Sequence, residues 1–179
     1  MEKSIEDNKK ITEKYPFLKP RSEDYDYTWT ELDLVCLGWQ GIFLEACDLI
    51  LQHLKEVNVD PEEFEFFDIK EKYGELRIST GGYCDKEIDR IISDLEVRSL
   101  LYCPSCGKPS KCVSKGYILF LCPECAAQCK LSYDWLTNKD RPIIKEYNND
   151  GTFKEKPTKY DAEFLAQWNA PSPEGPEVH

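Results

Sequence analysis

Two Cys-x-x-Cys pairs constrain this chain more than any other feature. They read Cys103-Pro-Ser-Cys106 and Cys122-Pro-Glu-Cys125, with fifteen residues between them. That pattern is the spacing of a four-thiolate metal site. Each short pair bends into a knuckle that aims two sulfurs and several backbone N–H groups at one point. The segment between the pairs need only turn back as a hairpin to bring the second knuckle opposite the first. The predicted ligands are Cys103, Cys106, Cys122 and Cys125, and the predicted cofactor is one structural zinc ion. Iron is the rival, because four thiolates also hold it and the Cys-Pro-x-Cys-Gly knuckle suits both. A closed four-cysteine shell leaves no coordination position open, which assigns the metal to folding.

The length of 179 residues suits a core with a modest satellite, and a hydrophobic fraction of 41% is enough to fill that core. No apolar run approaches the roughly 20 residues that cross a bilayer. The first residues, Met-Glu-Lys-Ser-Ile-Glu-Asp, are charged where a secretion signal would be apolar. Together with nine cysteines, an odd number, this points to a reducing cytoplasm in which clustered thiols mean metal before disulfide.

A net charge of −11 disfavours nonspecific affinity for phosphate backbones or anionic lipid. Asp60 to Asp68 carries five acids and no base. Between Leu100 and Tyr133, Lys108, Lys111, Lys115 and Lys130 outnumber Glu124 by three. A four-thiolate zinc centre carries a net charge of about −2, so the finger then stands near +1. Its lysines read first as compensation for the cluster, and Lys108, Lys111 and Lys115 as the nucleic-acid contacts of an alternative reading.

Ser4 to Lys14 is a polar helix stopped by Pro16 and Pro20, and Glu23 to Trp29 an acidic, aromatic loop over the core. From Trp39 to Val57, apolar residues recur at spacings of three and four: Trp39, Ile42, Phe43, Ala46, Leu49, Ile50, His53, Leu54 and Val57. That is one face of an amphipathic helix. Gly38 and Gly41 at its start permit close backbone approach. Phe64–Lys70 and Leu76–Thr80 read as two strands around a turn at Lys72-Tyr73-Gly74. Lys70, Lys72 and Arg77 form a basic knot there, either paired with neighbouring carboxylates or open to an anion or partner. Gly81-Gly82 punctuates. A second amphipathic helix spans Asp85 to Leu100, with Ile88, Ile91, Ile92, Leu95 and Ser99 inward. The finger follows, with a hairpin turning at Lys115-Gly116 and a helix behind Cys122 and Cys125 whose N-terminus favours thiolate. Beyond Trp135 lie a turn at Asn148–Gly151, a polar linker at Lys154–Lys159, a short helix candidate at Tyr160–Trp168 and a proline-rich tail at Pro171–Pro176.

Hydrolytic chemistries lack their residues. The two histidines are His53 and His179, so a His-Asn-His nuclease finger has no ligands or base. A nucleobase deaminase needs His-x-Glu ahead of Pro-Cys-x-x-Cys, and here proline follows the first cysteine of each pair. No phosphate loop, dinucleotide glycine motif or nucleophile elbow is present. An enzyme would have to use His53, alone or as a dyad with Cys36 or Cys47.

The assembled segments resemble a family of bacteriophage and prophage zinc-knuckle proteins. The resemblance rests on Tyr15-Pro-Phe-Leu-Lys-Pro-Arg21, Tyr27-Thr-Trp-Thr-Glu-Leu-Asp33, Gly38-Trp39, Ile69-Lys-Glu-Lys-Tyr-Gly-Glu-Leu-Arg77 and Cys103-x-x-Cys106-Gly-Lys-Pro109. It covers roughly residues 10 to 129 and departs after Arg77, where an aromatic pair often follows. It implies phage context and brings no activity. The expected fold is α+β, a long amphipathic helix on a small antiparallel sheet with a treble-clef or zinc-ribbon finger. The expected regions are 1–35, an N-terminal helix and loop; 36–100, the core; 101–135, the finger; and 136–179, an extension. The expected function is binding of a host protein in the bacterial cytoplasm, to modulate replication, transcription or defence. A nucleic-acid-binding ribbon is the alternative, a small enzyme the third reading, and no membrane is implicated.

Overall fold

The computed structural model describes residues 4–129 and 132–136, together with the backbone of two short strands at 145–147 and 153–155. The fold is α+β, and its centre is the long amphipathic stretch. After a 3-10 turn at Leu37–Trp39, helix α2 runs over Gln40–Glu56. Trp39, Ile42, Phe43, Ala46, Cys47, Ile50 and Leu54 are buried, as a period of 3.6 demands. Two residues of the expected stripe lie at the surface. Leu49, 46% exposed, is about 100° around the helix from the stripe centre. Val57 falls just past the last helical residue, where the period no longer applies.

Helix α3, Lys86–Ser99, packs beside α2 and buries the five residues predicted for it. Asp85 starts it by accepting the N–H groups of Glu87 (3.0 Å) and Ile88 (3.1 Å). Both helices lie on a two-stranded antiparallel sheet of β1, Phe64–Lys72, and β2, Glu75–Gly82. The strands run longer than the sequence suggested, so the turn is only Tyr73-Gly74. Both residues are left-handed, with φ of 55° and 81°, as a two-residue hairpin requires. The Gly81-Gly82 pair ends β2 rather than separating it from the helix.

The register shifts between Phe66 and Asp68, which makes Phe67 the extra residue of a β-bulge. Phe67 is 79% exposed. The extra residue changes the phase of the alternation, so that Phe64, Phe66 and then Ile69 all face the core. The outer edge of β2 is closed by α3. The Leu76 N–H donates to Ser99 Oγ (2.9 Å) and the Ile78 N–H to Glu96 Oε1 (2.8 Å).

Helix α1, Ile5–Lys14, opens with a capping box in which Ser4 and Asp7 satisfy each other's backbone N–H. It leads to a 3-10 turn at Pro16–Leu18, where Phe17 stands edge-on to Phe64 with ring centroids 5.3 Å apart. Tyr15 anchors this strap to α2 by donating to Asp48 Oδ1 (2.7 Å).

The distal half is a small unit of its own, built from β3, Cys112–Ser114, β4, Phe120–Leu121, and α4, Pro123–Gln128. A further strand, β5 at Tyr133–Trp135, pairs with β3 on the side opposite β4. Beyond it, β6, Lys145–Tyr147, pairs antiparallel with β7, Phe153–Glu155. The expected linker thus begins inside β7. The turn at Asn148–Gly151, the rest of the linker, the Tyr160–Trp168 helix and the Pro171–Pro176 tail lie outside the described residues. No helix among the described residues is long and apolar enough to cross a membrane.

Candidate metal centre

The first knuckle is folded by its own backbone. Cys103 O accepts the N–H groups of Cys106 (3.3 Å) and Gly107 (2.8 Å), and the Cys103 N–H donates to Lys108 O (2.8 Å). Gly107, with φ of 75°, supplies the left-handed step that closes this turn. In the second knuckle Cys122 caps α4, its sulfur accepting the Cys125 N–H at 3.4 Å. Ser110 and Ser114 brace the hairpin between them. Ser110 Oγ donates to Phe120 O (3.2 Å), and Ser114 Oγ receives the Leu119 N–H (2.8 Å).

These turns bring the sulfurs of Cys103, Cys106, Cys122 and Cys125 within 4.8 Å of one another. Cys106 Sγ is 3.5 Å from Cys122 Sγ and 3.7 Å from Cys125 Sγ. A tetrahedron of sulfurs at the Zn–S distance of about 2.3 Å has edges of about 3.8 Å, whereas a disulfide would need about 2.05 Å. The four thiols therefore fit the coordination shell of a metal ion, and all four cysteines are free. A zinc ion placed there would hold four thiolates and have no position left for substrate or water.

The electrostatics match that arrangement. Burial pushes the Cys103 thiol up, but the backbone N–H groups of Cys122, Ser105 and Cys106 outweigh it and bring the group below its ordinary value. Burial raises Cys122 to about 11, and burial with the crowding of neighbouring sulfurs raises Cys125. Four thiols this close resist joint ionisation until a cation is among them. Cys112 lies buried on β3 outside the cluster; burial and the negative sulfurs of Cys122 and Cys103 push its thiol to about 11. It therefore stays neutral behind the shell.

The centre is joined to the core at two points, one of them at a glycine the sequence marked for close approach without showing what approaches it. Gly38, ahead of α2, lies directly against the first knuckle, and its N–H donates to Pro104 O (2.8 Å). A Cβ at Gly38 would come to 2.8 Å from Cys106 N, and closer still to Cys103 O and Gly107 N. Next to it, Trp39 is wholly buried and its indole N–H donates to Tyr102 O (2.8 Å). Gly41, the other glycine expected at a close approach, has nothing near its Cα to crowd a side chain.

The second junction is the β1–β2 turn. A Cβ on Gly74 would reach 2.7 Å from the Phe120 ring, so the turn sits on the finger hairpin. Glu71 makes the bond between them. One carboxylate oxygen accepts the Gly74 N–H (2.6 Å) and the other accepts the Tyr117 hydroxyl. Sequence reasoning read Glu71 only as one of the carboxylates that pair with Lys70, Lys72 and Arg77, whereas its partners are the turn and Tyr117. The available signal was its position, three residues before the turn glycine.

The cations near this hairpin have local partners. Lys70 pairs with Asp68, while Arg77 reaches Glu75 (2.6 Å) and Glu96 (3.6 Å). Lys72 lies over the Tyr73 ring, 5.7 Å from its centroid. On the finger, Lys108 pairs with Glu124 and Lys115 with Asp134 (2.8 Å), while Lys111 is half-buried. Lys130 lies outside the described residues.

His53, at the end of α2, is held by Asp85 Oδ2 at 2.8 Å, and the Tyr83 hydroxyl donates to the same oxygen (3.0 Å). Burial opposes the charge on Asp85, yet its hydrogen bonds with His53, the Ile88 N–H and Tyr83 hold its carboxyl down at about 2. The imidazole thereby links α2 to the start of α3. No protein-family model, curated protein or solved structure matches the chain at a significant level.

Proposed function

We propose that this chain is a phage- or prophage-type protein of the bacterial cytoplasm, held together by one structural zinc ion, that acts by binding a host protein. Modulation of host replication, transcription or defence is the role that fits such a protein. The observation that carries this reading is the seating of the first knuckle on the Gly38 backbone, with the Trp39 indole tied to Tyr102. A metal ion bound by these four cysteines would brace the knuckle that rests on Gly38 and so hold finger and core together. A four-thiolate shell also lacks the open position that metal catalysis requires.

The surface supports a protein partner over a nucleic acid. The chain carries −11, and Lys108 and Lys115 already face carboxylates. The test is capture from host lysate by the purified, metal-loaded chain. The expected result is a host protein retained at moderate salt. Recovery of nucleic acid alone, with affinity falling steeply as salt rises, would replace this reading with the ribbon reading.

A further inference from the structure

A groove of about 1210 Å³ lies between the Pro16–Ser22 strap, the aromatic loop and the first residues of β1. Trp29, 42% exposed, and the bulged Phe67 stand on its walls. Its charged residues are Glu13, Glu31, Glu62 and Glu65 against Lys9, Lys19 and Arg21. Several of these are engaged or solvated. Arg21 is held by Glu65 (2.5 Å) and Lys9 lies over the Tyr27 ring, while Glu13, Lys19 and Glu62 are exposed and screened by water. Glu31 differs. It is half-buried and has no hydrogen bond or ion pair among the described residues, and burial raises its carboxyl. An uncompensated carboxylate in that setting favours a cation.

The second feature is the edge of β1. At the groove end of the ladder the Tyr83 N–H donates to Glu63 O (2.7 Å), which makes Glu63 a hydrogen-bonded position. Phe66, paired with Thr80 three residues further along and lining the groove, falls at an alternate position and turns its backbone groups away from β2. The Phe64 N–H is taken by Pro61 O, but no backbone–backbone hydrogen bond engages Phe66 on that side among the described residues. An open edge offers a row of donors and acceptors to an extended chain. The volume also exceeds the range of about 300–1,000 Å³ usual for small-molecule pockets.

We infer that this groove takes an extended, lysine- or arginine-bearing peptide segment of the partner protein. Its main chain adds to the edge of β1 and its cation is received by Glu31. The inference rests on the protein-binding reading above and names the chemistry of the partner. Trp29 and Phe67 give the apolar side chains of the segment something to pack against.

The test is fluorescence anisotropy with a labelled short peptide of alternating lysine and valine, titrated with the metal-loaded chain. The expected result is saturable binding that a glutamate–valine peptide does not show. Glu31→Gln should weaken it about tenfold, whereas Asp89→Asn, the same charge loss on the exposed face of α3, should change it by less than about twofold. A version of the peptide N-methylated on alternate residues should lose binding. Equal weakening by the two substitutions, or full binding of the N-methylated peptide, overturns the inference. Trp29→Ala, at an exposed side chain, provides a second variant should Glu31→Gln not fold. Lysate capture separates this inference from the functional reading. A host protein retained equally by the unaltered chain and by Glu31→Gln removes the groove and leaves the function. Peptide binding as expected with no host protein captured keeps the groove and removes the function.

Discussion

Gly38 shows how much one missing side chain can decide. Its hydrogen is all that separates the start of α2 from the backbone of the first knuckle. Gly38→Ala should cost about 3 kcal/mol or more, because the atoms in the way are main chain and cannot swing aside. Chemical denaturation measures the loss, and a zinc-competition titration should show weaker metal binding in the same variant. The glycine was readable in the sequence as a place for close approach, but what approached it was not. That fact depends on sixty-odd intervening residues folding first. Asp85 is the second residue to test. Its folded pKa of about 2 lies below the ordinary 3.8, so its contribution is full above about pH 4 and is lost as pH falls through about 2. Asp85→Ala should therefore destabilise the chain by about 1–2 kcal/mol at neutral pH. The difference should shrink toward zero in acid, as thermal melts across pH would reveal.

Helices α2 and α3 were legible because a buried stripe repeats over several turns and averages out local exceptions. The departures, Leu49 at the flank of the stripe and Val57 past the helix end, are places where that averaging fails. The sheet was legible in outline only. A bulge has no local signature in Phe64-Glu-Phe-Phe-Asp, because either phenylalanine could be the inward one until the partner strand fixes the register. Glu71 was hidden for a related reason: a carboxylate among lysines looks like a salt-bridge partner, and its true partners come from a turn and from a distant tyrosine. Glu71→Ala should cost about 1–3 kcal/mol by leaving the Gly74 N–H and the Tyr117 hydroxyl unmatched. In a double-mutant cycle with Tyr117→Phe the losses should be non-additive, which separates the bond across the junction from the bond within the turn.

The described residues form a helix-and-hairpin core with a finger locked onto it through Gly38–Trp39 and through the Tyr73–Gly74 turn. Elemental analysis should find a single metal ion per chain. Chelation should release the finger, with a loss on the order of 10 kcal/mol of metal-coupled folding. Hydrogen exchange should then show protection lost over residues 101–129 and 132–136 while α2, α3 and the β1–β2 ladder remain protected. Metal affinity should also fall as pH is lowered, since thiols raised as far as Cys122 must release protons to bind. The ligand set was legible because cysteine spacing is a short-range code. The finger was expected to reach residue 135, but its last strand was not legible, since Tyr133–Trp135 lies past the last ligand and carries no signal that it pairs with β3. This third strand bears on how the chain can be shortened. A version ending at Cys129 would keep all four sulfurs and still chelate, yet one flank of Cys112–Ser114 would be left bare. Two such truncated molecules would zip together along that flank, so the damage would show as dimers and precipitate while the metal content stayed normal.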